Sequence, residues 1–409
     1  MPVIDSAKPV GNPEESRLIS MGPGLPELPE RLLLAHARGE VLFIAGAGIS
    51  RPAGLPDFRG LTIAIYAALD KAVFDVISAV PNSVCNHWNV DVAGLNDQQT
   101  AEVRRFINGD YDVVLGMLER RIDGRAGGKS RVRQAVADEL RKAGTKPAAI
   151  HTALMRLADR GGTISIATTN FELLLEDAFN KGKNKVSTYS LGGIPRPGRT
   201  DDFAGVFHIH GALERDPSRS SDLIVSDQDF GEFYLRRRII PDFIYDASRL
   251  FHIVLVGYSA NDAPMRYLLN AVAADGGRFK DLKERFTFAG AETVDPVTLE
   301  DWKGRGITPI SYSQASGHVA LLNVLKTWAK FSAINGKQGA VDAAIKRIVR
   351  TSRTAALEAD RDLFDHFIRR SNRNERERLA SLVTQKKASF DWLTAINEIV
   401  KELELRHRN

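Results

Sequence analysis

The chain has 409 residues, enough for one large domain with a hydrophobic core and one or two smaller units. Hydrophobic residues make up 43% and charged residues 26%, as in ordinary globular proteins, and no apolar run approaches the roughly 18 residues that cross a bilayer. The formal charge is +5, and residues 336–409 hold 16 Lys and Arg against 11 Asp and Glu. We therefore expect a cytoplasmic protein without a membrane segment, whose positive excess lies in its C-terminal segment.

The first half of the chain predicts a short leader, one strand and a helical region. Residues 1–25 have little periodicity and indicate a flexible leader, and residues 29–38 indicate a short helix. Val41–Ala45 is a short apolar run typical of a buried strand. Four segments with helical spacing follow, so residues 61–146 are predicted to form a helical insertion.

Strands and helices alternate in the second half of the chain. Strands are predicted at residues 163–169, 206–209, 223–225, 252–256, 285–288 and 307–311. Helices are predicted at residues 149–157, 173–179, 231–239, 264–274 and 319–330. This alternation predicts a doubly wound α/β fold, with a parallel sheet covered on both faces and ligands beyond the carboxyl ends of its strands. Residues 336–409 show only helical periodicity and are predicted to form a C-terminal helical appendage.

A glycine-rich turn follows the first strand. Gly46 and Gly48 supply a G-x-G pattern, whereas Arg51 occupies the third glycine position of the usual dinucleotide fingerprint. Glycines allow backbone N–H groups to approach a diphosphate, and a helix starting near Ser50 would add its positive end. The turn therefore predicts a dinucleotide ligand.

Polar groups follow three of the predicted strands. Asn170 is expected at the turn after the first of them, where it could also simply cap the following helix. Alternation would place His208 and His210 on one face of the next strand, with Gly211 leaving space around the ring, although paired strand histidines are often structural. Residues 257–262 follow the third strand as a Gly-Tyr-Ser-Ala-Asn-Asp turn, which could bind phosphate or ribose hydroxyls or cap a helix.

Taken in order, these motifs resemble the sirtuin family across about residues 40–330. The motifs are G-A-G-x-S at 46–50, G-x-P-D-F-R-G at 54–60, Thr169-Asn170, His210-Gly211 and Gly257-Tyr258-Ser259. The resemblance implies a Rossmann-like domain, here within residues 26–335, that binds NAD and breaks its nicotinamide–ribose bond. Leaving of nicotinamide creates an oxocarbenium-like ribose, so such a site needs a dry pocket, a polar group near the ribose and a base.

The resemblance also implies roles for individual residues. Asn170 would hold a ribose hydroxyl or the attacking water, and His210 would be the catalytic base. The remaining residues that the resemblance implies as NAD contacts fall into three groups. The diphosphate and ribose would be contacted by Gly46, Ala47, Gly48 and Ser50, and the nicotinamide half by Asp57, Phe58 and Arg59. Other parts of NAD would be contacted by Thr169, Gly257, Ser259 and Asn261.

Two departures from the family bear on the reaction. Typical sirtuin deacylases carry a four-cysteine zinc ribbon, which a chain with Cys85 alone cannot build, so no metal is expected. The run Thr169-Asn170-Phe171-Glu172 also differs from the family pattern, and the role of Glu172 stays open. Without a zinc-supported peptide cleft, water is the expected acceptor, which predicts hydrolysis of NAD to ADP-ribose and nicotinamide.

Zinc-free sirtuin domains with a helical insertion resemble the prokaryotic antiphage branch, in which NAD depletion halts the infected cell. The architecture is similar to the sirtuin subunit that works with a HerA-type DNA-translocase ATPase. That similarity implies a homo-oligomer, expected to be a ring, with residues 336–409 serving oligomerisation or docking. The same segment could instead pack on its own domain, and nucleic acid would be reached through the partner or the basic tail.

Two other functions remain open at this stage. A protein deacylase would release nicotinamide only with an acyl-lysine substrate. A structural or nucleic-acid-processing subunit of the ATPase assembly would use NAD as a regulatory ligand.

Overall fold

A computed structural model describes residues 17–81, 90–124, 130–142, 145–180, 185–198, 203–216, 222–258, 263–276, 281–291, 296–385 and 390–406. None of the helices within these ranges is both long and apolar enough to span a bilayer. The strands of the described residues are β1 (Leu18–Ser20), β2 (Glu27–Pro29), β3 (Val41–Ala45), β4 (Ser165–Thr168), β5 (Thr188–Ser190), β6 (Gly205–His208), β7 (His252–Val256), β8 (Arg285–Ala291) and β9 (Thr308–Ser313).

The helices up to β7 are α1 (Glu30–Ala37), α2 (Phe58–Leu69), α3 (Lys71–Ile77), α4 (Asp97–Ile107), α5 (Tyr111–Asp123), α6 (Arg131–Leu140), α7 (Ala149–Leu157), α8 (Leu174–Phe179), α9 (Asp227–Phe230) and α10 (Ile239–Leu250). The later helices are α11 (Ala263–Asp275), α12 (Pro296–Gly304), α13 (Val319–Phe331), α14 (Gln338–Ile348), α15 (Glu358–Arg370), α16 (Arg373–Gln385) and α17 (Phe390–Arg406). A π-helical segment, Gly231–Arg236, joins α9 to α10.

A parallel sheet of seven strands within the described residues forms the centre of the fold. Its strand order is β5-β6-β4-β3-β7-β8-β9, and every neighbouring pair is parallel. All five residues of β3 are buried, because Val41 and Phe43 pack on one layer of helices while Leu42 and Ile44 pack on the other. The predicted α/β fold, with a parallel sheet covered on both faces, is confirmed.

The register brings the carboxyl ends of four strands to one edge. Ala45 at the end of β3 lies opposite Thr168 of β4 and Val256 of β7, and Thr168 lies opposite His208 of β6. The chain leaves β3 towards β4 and later returns to the other side of β3 with β7. The crevice between the ends of β3 and β7 is therefore the topological switch point at which such sheets bind ligands.

The predicted helical insertion contains helices α2 to α6. Its apolar side chains form their own buried cluster, with Tyr66, Phe106 and Leu118 at its centre. Phe171 and Val225 from the sheet domain belong to the same cluster. The insertion is therefore packed directly against the turns that leave β4 and β6.

The C-terminal helices share a core with the sheet domain. Phe364 and Phe367 of α15 belong to the same buried cluster as Phe43 of β3 and Trp328 of α13. The carboxylate of Glu30 on α1 accepts a 2.7 Å hydrogen bond from Arg369 and lies 3.2 Å from His366, both on α15. Residues 338–406, as far as they are described, thus pack on their own chain. Their role in oligomerisation or docking stays a prediction.

Several local predictions are corrected by the structure. The described part of the predicted leader forms β1, because Ile19 and Met21 are buried and β1 pairs with β2. Residues 223–225 are buried but form no strand. Leu223 and Val225 pack against the helical insertion, and Ile224 packs in the core of the sheet domain. The predicted helix at 231–239 is a π-helical segment that ends before Arg238, whose φ of 56° breaks the helix.

Candidate functional site

The two glycine-containing turns after β3 and β7 meet at the switch point. The Gly46 N–H donates to the carbonyl of Val256, and the Gly48 N–H donates to the carbonyl of Gly257 over 2.8 Å. A Cβ atom on Gly46 or Gly48 would lie 2.7 or 2.8 Å from the Gly257 oxygen. Gly257 itself has a φ of +64°, which side chains rarely adopt. The glycines are thus required for the contact between the two turns.

This contact changes the expected role of the glycines. The sequence predicted that their N–H groups face a diphosphate, whereas both donate to backbone carbonyls of the neighbouring turn. The predicted helix near Ser50 is also absent from this described stretch, where two 3₁₀ turns, Ala47–Ile49 and Arg51–Ala53, precede α2 at Phe58. Ala47 is half-buried and Gly48 is exposed beside the turn, so diphosphate binding by residues 46–50 stays a prediction.

Ser50 and Asn170, which follow β3 and β4, come together at the carboxyl edge of the sheet. The Asn170 side-chain amide donates to the Ser50 hydroxyl over 3.1 Å and to the Glu172 carboxylate over 3.0 Å. The Ser50 hydroxyl also donates to the same oxygen of Glu172. His151 of α7 lies 3.3 Å from the Ser50 hydroxyl. Ser50, Asn170 and His151 are buried and Glu172 is half-buried. We call these four residues the carboxyl-edge cluster.

The hydrogen bonds in the cluster run in one direction. The Ala148 N–H donates to Nδ1 of His151 over 3.1 Å, so a neutral His151 carries its proton on Nε2 and donates to Ser50. Burial lowers the pKa of His151 to about 4, which keeps it neutral at pH 7. Ser50 then donates to Glu172. The chain of donors ends on the Glu172 carboxyl group.

Glu172 has no cationic side chain among its hydrogen-bond partners in the described structure. Burial raises its pKa, against the lowering effects of the bonds from Ser50 and Asn170 and of the nearby His208. The sequence left its role open, and His151 gave no signal because a histidine on a largely apolar helix looks like a core residue.

His208 pairs with a buried carboxylate on α8. Its Nε2 atom lies 2.9 Å from Glu176, and its Nδ1 atom lies 2.7 Å from the backbone oxygen of Asn170. Burial lowers the pKa of His208, but the hydrogen bond and charge of Glu176 raise it above the ordinary value. Burial raises the pKa of Glu176, and His208 and Thr188 reverse this to a net lowering. His208 thus holds the Asn170 backbone while it is paired with the Glu176 carboxyl group.

His210 has a different environment. Its Nε2 atom is 2.7 Å from the Tyr234 hydroxyl of the π-helical segment, and its ring meets Phe230 edge-on. Burial without a carboxylate partner lowers the pKa of His210 to about 3. The expectation that His208 and His210 share a strand face is wrong, because β6 ends at His208 and the chain turns before His210.

Glycine is required at position 211 by the backbone conformation and by a close backbone neighbour. Its φ is +97°, and a Cβ atom there would lie 2.0 Å from the backbone oxygen of Asp222. Near this point the backbone N–H of Ile224 donates to the carbonyl of His210. The glycine therefore allows the two chain segments to approach each other, and the predicted space around the histidine ring is not its main role.

The P-D-F-R-G motif connects the switch point to the insertion. Asp57 caps α2 by accepting a 2.8 Å hydrogen bond from the Gly60 N–H. Phe58 meets Tyr111 edge-on, and Arg59 lies over the Phe106 ring and donates to the backbone oxygen of Val80. Asp57 thus caps a helix, and Phe58 and Arg59 contact the insertion. Their contact with nicotinamide stays a prediction.

The remaining residues that were predicted to bind NAD divide into two groups. Thr169 is at the carboxyl end of β4, where its N–H donates to Ala45, and it is half-buried. Ser259 and Asn261 lie outside the described residues. Within the described ranges no group of three or more His, Cys, Asp or Glu could hold a metal ion. Cys85 lies outside those ranges.

A separate cavity of about 260 Å³ lies at the opposite, amino-terminal edge of the sheet. Arg38, Arg160, Phe203 and Phe251 are among its lining residues. Arg160 donates to the backbone oxygens of Gly39 and Phe203 and to Ser165, so it holds the starts of the strands together. The polar groups that could act on a dinucleotide are at the carboxyl edge, and we place the candidate site there.

Comparison with known proteins gives a family for part of the chain and one long relative. Residues 164–310 match the SIR2-like domain family. The uncharacterized protein y4cA of Sinorhizobium fredii (strain NBRC 101917 / NGR234) is 30% identical over 364 residues, covering 84% of this chain. This chain spans 28% of the length of that relative.

Similar solved structures include a complex of a SIR2 homologue with NAD, at 17% identity and a TM-score of 0.34, covering 74% of this chain and 92% of that one. Another, described as a structural basis for the mechanism and regulation of Sir2 enzymes, has 12% identity and a TM-score of 0.36, covering 74% and 97%. The matched residues 164–310 include Asn170, His208 and His210 but not Ser50. The match over residues 164–310 supports the sirtuin family for this part of the chain.

Proposed function

We propose that this chain is an NAD-utilising enzyme that hydrolyses NAD⁺ to ADP-ribose and nicotinamide. The observation that carries the proposal is the carboxyl-edge cluster, in which Asn170 bonds to Ser50 and Glu172 beyond the carboxyl ends of β3 and β4. The SIR2-like domain match supports NAD as the substrate. The sequence motifs that resemble the sirtuin family also supply Ser50, which lies outside the matched residues.

The cluster supplies groups suited to this reaction. The amide nitrogen of Asn170 is held by Ser50 and Glu172, so the amide oxygen is left to accept from a ribose hydroxyl or from the attacking water. The backbone of the same residue is held by His208. A group fixed from both ends can position water beside the ribose carbon without reorganising during the reaction.

His210 is proposed to act as a base near the ribose. Its low pKa keeps the ring neutral at pH 7, as a proton acceptor must be, but its Nε2 atom is bonded to Tyr234. Substrate would have to replace the Tyr234 hydroxyl before His210 could accept a proton. This requirement is consistent with an activity that is low until it is triggered.

We further propose that the enzyme acts in antiphage defence by NAD depletion, in a homo-oligomer with a HerA-type ATPase. The support is the resemblance of the sequence to the zinc-free sirtuin branch. In the C-terminal helices several arginines are paired with acids, Arg347 with Asp360, Arg353 with Asp365 and Arg378 with Asp342. These pairs engage three of the arginines within the segment itself, which favours docking to a protein over direct binding of nucleic acid.

The test is to incubate the purified full chain with NAD⁺, alone and with a HerA-type ATPase and DNA, and to follow nicotinamide and ADP-ribose by chromatography. We expect both products without any acyl-lysine peptide. Asn170→Ala should lower turnover about 100-fold or more, because it removes the group that positions the water. The exposed Asn323→Ala on α13 is the matched control and should keep full turnover.

Absence of nicotinamide release in every mixture would contradict the proposal. Release that requires an acyl-lysine peptide would indicate a deacylase instead.

A further inference from the structure

The cavity of about 260 Å³ at the amino-terminal edge of the sheet is separate from the carboxyl-edge cluster. Four of its lining residues lie one or two positions before a strand: Gly39 before β3, Thr163 before β4, Phe203 before β6 and Phe251 before β7. These parallel strands have four or five residues each, so the cavity lies about 15 Å from their carboxyl ends. A ligand in the cavity would therefore not overlap the proposed NAD site.

Arg160 brings a positive charge to this cavity, and no acidic side chain pairs with it among the described residues. The half-buried guanidinium donates to the backbone oxygens of Gly39 and Phe203 and to the Ser165 hydroxyl, all of which are neutral. Its Nε atom is buried without a hydrogen-bond partner in the described structure. The adjacent Asp159 instead accepts from the backbone of the turn after Arg160. A partly buried cation in this state is stabilised by an anion that enters the cavity.

Arg38 supplies a second guanidinium at the mouth of the cavity. It is paired with Glu40 over 3.0 Å, and both side chains are exposed. Exposed ion pairs of this kind contribute little to stability, so the pair does not prevent Arg38 from contacting an anion. Glu40 itself is not among the residues that line the cavity.

The rest of the lining is apolar. Phe203 and Phe251 are stacked, with ring centroids 5.6 Å apart, and the Arg160 guanidinium lies over the Phe251 ring at 4.9 Å. The buried Pro197 completes this wall. The volume is close to the lower end of the roughly 300–1,000 Å³ of small-molecule sites, and far above the roughly 10–15 Å³ that one water needs. Size and lining therefore fit an organic ligand better than a single inorganic ion.

We propose that this cavity binds a small aromatic anion, with its carboxylate or phosphate group on Arg160 and Arg38 and its ring against the apolar wall. Guanidinium groups bind such anions through two parallel N–H donors. Arg160 also joins the starts of β3, β4 and β6, so binding stabilises the folded chain. The inference does not depend on NAD hydrolysis, because the two sites lie at opposite edges of the sheet.

The test titrates the purified full chain with phenyl phosphate and with benzoate in a calorimeter, at pH 7 and constant ionic strength. We expect at least one of these probes to bind with a Kd on the order of 1 mM and to raise the Tm. The tighter of the two identifies the head group. Inorganic phosphate and benzyl alcohol each carry only one half of the ligand chemistry, and both should bind at least about 10-fold more weakly.

Two variants locate the probe. Arg160→Gln removes the charge and should weaken binding about 10-fold or more, with circular dichroism to confirm that the variant is folded. Thr163→Trp keeps Arg160 and fills the exposed mouth of the cavity, and it should weaken binding to a similar extent. Arg104→Gln, which removes an exposed arginine on α4, is the matched control and should keep the wild-type affinity.

Each contrary outcome overturns the proposal. If neither aromatic anion binds, the cavity is not a site for this class of ligand. Unchanged affinity in folded Arg160→Gln or in Thr163→Trp would show that the probe binds elsewhere. Equal binding of benzyl alcohol or of inorganic phosphate would show that the site does not need both the charge and the ring. A chain that binds the probe but releases no nicotinamide from NAD⁺ would contradict the proposed function alone.

Discussion

His208 and His210 are both buried at the end of β6, yet their environments shift their pKa values in opposite directions. His208 has a carboxylate partner at 2.9 Å and a raised pKa, whereas His210 has a tyrosine hydroxyl at 2.7 Å and a pKa lowered to about 3. Burial lowers the pKa of both rings, so the difference comes from the partner. One histidine is paired with a carboxylate and fixes the backbone of Asn170, and the other is a neutral ring beside the proposed substrate site.

The largest expected effect comes from breaking the charged pair. Glu176→Gln leaves His208 buried without a counter-charge, and it should lower the free energy of unfolding by about 3 kcal/mol or more. Chemical denaturation at pH 6 measures the change. Asp177→Asn is the control, because its partner Arg215 is exposed and such surface pairs contribute less than about 1 kcal/mol. Equal effects of the two substitutions would contradict a buried ion pair.

The pH dependence of this difference follows from the two pKa shifts. The lowered pKa of Glu176 gives stability that is present above the ordinary value of 4.5 and is lost as the pH falls through the folded-state pKa. The raised pKa of His208 gives stability that is present below 6.5 and is lost as the pH rises through its folded-state pKa. The stability difference between wild type and Glu176→Gln should therefore be greatest between about pH 4.5 and 6.5. A difference that is constant from pH 4 to pH 9 would show that the pair does not carry charge.

The smallest expected effect is a difference between the pH titrations of the His208 and His210 rings. In NMR spectra of the protein labelled at histidine, the His208 ring should remain protonated above pH 6.5, whereas the His210 ring should remain neutral down to the pH at which the protein unfolds. His208→Gln and His210→Gln assign the signals. Two rings that titrate together near pH 6.5 would mean that their partners do not distinguish them.

Much of the fold follows from local patterns. The structure has β3, β7 and α7 at the bounds that the sequence predicts, because each is a compact apolar or amphipathic run with clear breaks. The sequence analysis missed β5, which has three residues at the edge of the sheet, and the helices α3, α9, α10 and α12. It also predicted a strand at residues 223–225, since a buried apolar run looks the same whether it pairs in a sheet or packs against an insertion.

The candidate site was predicted only in part. Ser50 and Asn170 were identified from motifs, and the structure joins them by a hydrogen bond across 120 positions in the chain. His151 and Tyr234 were missed, because a single histidine on an apolar helix and a tyrosine in an aromatic-rich segment have no local signature. Their contacts depend on how α7 and the π-helical segment pack against the strand ends.

The sequence by itself determined the parallel α/β fold, the position of the glycine-containing turn after β3 and the residue types at the strand ends. These depend on hydrophobic spacing and on glycine, which act over a few residues. Only the tertiary structure decided that the N–H groups of Gly46 and Gly48 are bonded to the strand end and turn of β7. It also decided that Glu176 raises the pKa of His208 and that the Tyr234 hydroxyl is bonded to Nε2 of His210. The physical reason is that hydrogen-bond partners and desolvation are set by which distant segments meet, and spacing along the chain does not encode that.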